Sequence, residues 1–337
     1  MKPKYHLIIL SMACLFMASC KKHGEKPGVV VGVDIYNAGY IVAANTHSVA
    51  VYWKNNSLVR LGDSTVSTMA NAIAVDGNDI YVAGNMTNSE QITTAVIWKN
   101  GVATKLTDGT SSADARSISI SDHNVYIGGY MNNLQAVYWK NGLVTPLANG
   151  AVANSIAAEG NNVYAAGFIF DTKISNNEAV YWKNGAATEF LAPTPGNTFD
   201  YISGNASAIA VSNSDVYVTG YAGTGKYWKN GNETDLQNGY YCYPSAIAVS
   251  GNDVYIAGSI DLNDPDAAIS TANYWKNGNV VPLTGVTVLS CANAIALNGS
   301  DVYIGGQANG NAVYWKNGTE VILAAKGAVY SIALAPH

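Results

Sequence analysis

Short runs of β-forming residues alternate with tight polar turns along this chain, and the alternation is periodic. One well-formed unit reads Asn71-Ala-Ile-Ala-Val75, Asp79-Ile-Tyr-Val-Ala-Gly84, Thr94-Ala-Val-Ile-Trp98 and Val102-Ala-Thr-Lys-Leu106. Each run is rich in Val, Ile, Tyr and Thr and is bounded by Gly, Asn or Asp, which is the pattern of a strand. No stretch sustains a helical apolar period, so helices are not expected. The third and fourth runs are joined by Asn-Gly six times and by Asn55-Asn56 once, the residues that a two-residue type I′ hairpin needs for positive φ. The first and second are joined by tetrads such as Asp76-Gly-Asn-Asp79 and Ser250-Gly-Asn-Asp253, again tight turns.

All seven tryptophans mark the same point of the unit. Trp53, Trp98, Trp139, Trp182, Trp228, Trp275 and Trp315 each precede Lys-Asn, at spacings of 40 to 47 residues. Four antiparallel strands repeated seven times at that period predict an all-β fold: a seven-bladed β-propeller of four-stranded antiparallel blades over residues 29–337. Past the last Trp unit, Ser331-Ile-Ala-Leu334 copies the first strand without the three that should follow it. Blade one has its later strands at Tyr40 to Ala44, Val49 to Trp53 and Leu58 to Leu61. The C-terminal strand is therefore expected to complete blade one and close the ring, which argues against an open solenoid. Its rival for that slot is Val30-Val-Gly-Val-Asp-Ile35. The Trp residues and their Tyr neighbours read as filler between blades. Small residues flanking each inner-strand Ile, as in Ala72-Ile73-Ala74, suit the crowding near the axis.

The first residues depart from this pattern. Lys2 and Lys4 precede a mostly apolar stretch from Leu7 to Met17, too short to span a bilayer, and Met17-Ala-Ser-Cys20 follows. The reading is an export signal over 1–19, a lipidated tether over 20–28 and a lipid on Cys20 as the membrane attachment, placing the domain in the bacterial cell envelope, facing periplasm or cell surface. Loss of residues 1–19 removes two lysines and no acid, so the formal charge moves from −5 to −7, against a nucleic-acid partner. Cys242 and Cys291 lie in successive repeats and are a candidate disulfide in an oxidising compartment, though offset by one residue in register.

The unit "W-K-N-G, short polar strand, loop, small-I-A-V, turn, V-Y-V-A-G" resembles the HAF-type extracellular repeat of bacterial propeller-like proteins over nearly all of residues 29–335. Asn37-Ala-Gly-Tyr-Ile-Val-Ala-Ala44 is most similar to its "N-x-x-G-x-I-V-G", with Ala44 in place of the last glycine. Met17 to Cys20 resembles the lipobox, and the combination resembles lipoproteins of the Bacteroidota. The resemblance implies a secreted or surface-anchored propeller and brings no catalytic residue with it.

Little in the chain points to an enzyme. Gly220 to Lys226 imitates a phosphate loop, but Tyr227 stands where Ser or Thr should hold magnesium. Histidines at 6, 23, 47, 123 and 337 show no metal-ligand spacing, and no cofactor is expected. Asp261, Asn263, Asp264 and Asp266 form a weak calcium candidate in the long loop from Gly258 to Trp275. Lysines after each Trp are expected as an outer ring on the short-turn face, with Asp79, Asp122, Asp215, Asp253 and Asp301 as an inner one.

The opposite face carries loops of unequal length, where binding is usually placed. Two residues before each inner-strand Ile stand Asn71, Arg116, Asn154, Ser207, Ser245, Asn293 and Tyr330, expected to ring the mouth of the central channel with Arg116 as its one cation. Tyr130, Phe168, Tyr221, Tyr241 and Tyr243 are expected beside them, along with Phe199, Tyr201 and Tyr240. Amides, hydroxyls and aromatics together suit a glycan or peptide. The functional expectation is a monomeric, non-enzymatic binding or scaffold module for protein or glycan. A polysaccharide hydrolase or lyase is the alternative, and it would need paired carboxylates.

Overall fold

This structure, a computed structural model, describes residues 32–44, 46–171, 176–189, 204–236, 242–264 and 267–336. The strands form seven four-stranded sheets. Blade two shows the plan: Ser67–Asp76 nearest the axis, then Asp79–Thr87, Thr93–Lys99 and the outer Val102–Lys105, each antiparallel to the last. Six blades are consecutive in sequence. Blade one is composite, since its inner strand is Gly327–Pro336, paired with Val33–Val42, Ser48–Lys54 and Ser57–Arg60. The ring thus closes through the C-terminal strand, as expected.

Blade one also carries a correction. Its second strand starts at Val33, well before Tyr40, and Asp34-Ile-Tyr-Asn-Ala-Gly39 is the copy of Asp79-Ile-Tyr-Val-Ala-Gly84. Gly39 rather than Ala44 is the counterpart of the second-strand glycines. Residues 33–35 of the rival segment therefore lie in that strand and not in the inner one.

The repeat signature has a physical reason at every position. Each Trp is fully buried, in clusters that join adjacent blades: Trp98 packs with Tyr52 of blade one, and Trp139 with Ala83 and Ala95 of blade two. Each Lys ammonium lies 5.0 to 5.3 Å from the centroid of a second-strand Tyr in its own blade, a cation–π contact. The turn Asn and Gly have φ of 51° and 85° at Asn100-Gly101, the geometry of a type I′ hairpin. The same Asn100 accepts from the Ile80 N–H and donates to Asp79, tying the two short turns of the blade together. Equivalent bonds recur in every blade, from Asn55 to Asn317.

Five of the seven lysines also pair with an acid at the start of the second strand: Asp34, Asp79, Asp215, Asp253 and Asp301. Asp122 is not one of that ring. It sits within the turn at φ 48°, and Asn124 and Asn162 hold the acid's place in blades three and four.

Candidate functional site

The inner strands carry the site, and one backbone irregularity builds it. Every inner strand breaks register with its neighbour at the same point, between Ala70 and Ala72 in blade two and between Ala115 and Ser117 in blade three. Blades four to seven and blade one repeat the break. The residue left over at these bulges is, in turn, Asn71, Arg116, Asn154, Ser207, Ser245, Asn293 and Tyr330. A bulge re-aims the side chain of its extra residue, and here all seven line one polar space at the channel mouth. The second-strand glycine makes the bulge feasible. A Cβ on Gly84 would collide with the Met69 carbonyl oxygen, and one on Gly129 with that of Asp114.

The upper part of that space is an open cavity of about 480 Å³ bounded by six of the seven bulge residues and by Met69, Asn85, Asp114 and Asn205. Its polar groups are interlocked. Asp114, with a side chain only 12% exposed, accepts at Oδ1 from Asn71 (2.8 Å) and Asn85 (2.7 Å). Its Oδ2 accepts from Arg116 Nε at 3.2 Å. Arg116 Nη1 donates to Asn154 Oδ1 at 2.7 Å, and the guanidinium lies 5.7 Å from the Tyr130 ring centroid. Asn154 in turn donates to Asn205 Oδ1 and to the Ala206 carbonyl of the next blade. Asn71 and Asn293 make the same blade-to-blade bond, to the carbonyls of Ala115 and Val329. The ring is therefore preorganised by its own hydrogen bonds.

The predicted aromatics divide. Tyr330 lines the cavity and leans on Tyr40, with ring centroids 5.6 Å apart, and burial pushes its phenol upward in pKa. Tyr130 supports Arg116. Tyr221 and Tyr243 stack on each other at 5.8 Å on strands of blades five and six, and neither is among the residues that line the cavity. Phe168 holds the equivalent place in blade four but does not line the cavity. Tyr241, Phe199, Tyr201 and Tyr240 lie outside the described residues, as do Cys20 and the segment expected to be an export signal.

Sequence reasoning missed Asp114, Asn85 and Asn205. A signal existed, because Asn85 follows its second-strand glycine as Tyr130, Phe168 and Tyr221 follow theirs.

Two further expectations change. Cys242 and Cys291 are free thiols. One residue of offset in a strand turns a side chain to the other face. Cys242 is buried in the slot that Thr68 and Ser290 fill in other blades, against Gly225, while Cys291 shares the face of Tyr330 and Asn293. Burial pushes the Cys242 thiol up to about 11. The long acidic loop of blade six is largely a ladder, with Asp261 opposite Ser270 and Asp264 opposite Ala267. Residues 265–266, and the side chains of Asn263 and Asp264, lie outside the description, and no metal-holding acidic or His/Cys cluster occurs among the described residues.

Seven radially repeated four-stranded sheets closed on themselves define a β-propeller. Comparison with known proteins agrees at the level of fold. No family model matches the sequence, and no curated protein does. Among solved structures the chain is similar to the β-propeller domain of the trilobed protease from Pyrococcus furiosus, with 11% identity, 87% of this chain and 92% of that one covered, and a TM-score of 0.50. That propeller has an open velcro topology, whereas here Gly327–Pro336 joins blade one. The chain is also similar to an acylaminoacyl peptidase, at 12% identity and a TM-score of 0.50, covering 87% of this chain and only 51% of that one. The WD40 propeller domain of Doa1 aligns at 14% identity over 88% of this chain and 90% of that one, with a TM-score of 0.49. Identity this low speaks for the fold alone.

Proposed function

We propose that this chain is a non-enzymatic, lipid-anchored binding module of the bacterial cell envelope, which takes a protein or glycan ligand at its channel mouth. The observation that carries this reading is the sevenfold bulge, which aims one side chain from every blade into a single preorganised polar cavity. The resemblance to HAF-type repeats and to lipoproteins of the Bacteroidota supports the location. Binding rather than turnover is favoured because hydrolysis of a glycan needs two carboxylates across the scissile bond. Asp114 is the single carboxylate among the described residues of the cavity, and three donors already occupy it.

Two measurements test this. Cys20→Ala should release the protein from the membrane pellet into the soluble fraction, and persistent membrane retention would contradict the anchor. Pull-down from detergent-solubilised envelope should retain bound material with the wild type and lose most of it with Arg116→Ala. If capture survives that change but fails on replacing Lys140 and Lys183, the binding face is the other one.

A further inference from the structure

We propose that the ligand taken at the mouth is a neutral saccharide, recognised through vicinal hydroxyls, and not an anion. This rests on the mouth being the binding face and goes further by naming the chemical class. A lone arginine at a channel mouth suggests a carboxylate or phosphate partner, but the hydrogen bonds around Arg116 argue otherwise. Asp114 pairs with it at 3.2 Å, so the two charges cancel where a ligand would sit. A second anion brought there would meet the Asp114 carboxylate as well as the guanidinium.

What the network leaves unspent decides the ligand. Asn71 and Asn85 turn their NH2 groups to Asp114, which orients their carbonyl oxygens as acceptors. Asn154 spends both amide protons on Asn205 and on Ala206. Arg116 keeps Nη2 as a donor, and Asn205, accepting at Oδ1, keeps its NH2. Two acceptors on blade two are therefore followed around the ring by free donors on blades three and five. A hydroxyl both donates and accepts, so adjacent sugar hydroxyls can satisfy an amide oxygen and a guanidinium N–H together. A carboxylate can only accept and would leave the amide oxygens of Asn71 and Asn85 facing its own. The remaining wall is apolar at Tyr330 and Met69, the kind of surface on which the C–H face of a pyranose rests. About 480 Å³ lies within the range of small-ligand sites.

The experiment uses the mature full-length protein and isothermal titration calorimetry, with cellobiose, maltose, mannobiose and chitobiose as neutral probes and digalacturonate as the anionic one. At least one neutral disaccharide should bind, and more tightly than digalacturonate. Asn85→Ala and Asn205→Ala should each weaken that binding by about tenfold or more while leaving the thermal midpoint near wild type. Asp114→Asn gives the diagnostic reversal: it frees the Arg116 charge, so affinity for the neutral sugar should fall and affinity for digalacturonate should rise. A purely structural Asp114 would weaken both. Absence of binding by every neutral probe, or tighter binding of digalacturonate by the wild type, overturns the proposal. If envelope capture still depends on Arg116 in that case, the mouth remains the binding face and only the saccharide assignment falls.

Discussion

Asn37 is fully buried and neither polar atom of its side chain finds a partner among the described residues. It stands opposite Trp53 in blade one, where the other blades place Val82, Ile127, Ala165, Val218, Ile256 and Ile304 opposite their tryptophans. An unsatisfied buried polar group costs about 1 to 3 kcal/mol. Asn37→Val should accordingly raise stability by about that amount, read as a higher urea midpoint with an unchanged slope; a lower midpoint would mean that the amide is satisfied after all. At this scale the sequence was only partly legible. The tryptophans and second-strand glycines announce their roles by repetition, because every blade must solve the same packing problem. Asp114 does not repeat, since Met69, Val152, Asn205 and Tyr243 hold its place elsewhere, and a singular residue carries no periodic signal.

At the scale of the element, each blade is pinned by its two short turns. Hydrogen bonds from Lys99, Lys229 and Lys276, and then from Asn100, Asn230 and Asn277, hold the Asp79, Asp215 and Asp253 carboxyls below their ordinary range. A carboxyl whose folded pKa is depressed adds stability above its unfolded value, about 3.9 for Asp, and loses it as pH falls through the lower folded value. The thermal midpoint should stay flat with respect to these groups from neutral pH down to about 5 and decline below about 4. Changing the three acids to Asn should flatten that acid limb. These groups are exposed, so the effect per blade is small and shows as a sum. The Asn-Gly hairpins were legible in the sequence because positive φ selects its residues locally. The bulge of the inner strand was not, since it is a mismatch between two strands and neither strand shows it alone.

At the scale of the molecule, the ring is held by one non-local pairing. Gly327–Pro336 lies against Val33–Val42 although nearly the whole chain separates them. Deleting residues 327–337 should leave blade one without its inner strand, expose a row of unpaired backbone groups and lower both the midpoint and the cooperativity of unfolding. A synthetic peptide of that sequence should restore them in trans, and an undiminished midpoint in the truncated chain would refute closure by this strand. By itself the sequence determined the strand type, the number of blades and the hairpin turns, which follow from local backbone preference repeated at a fixed period, and it marked the seven mouth positions by their constant spacing to the inner-strand Ile. Only the tertiary structure decided which strand completes blade one, that Cys242 and Cys291 face opposite ways, and that Asp114 neutralises Arg116. Those outcomes depend on register between strands, and register is set where residues distant in the chain meet.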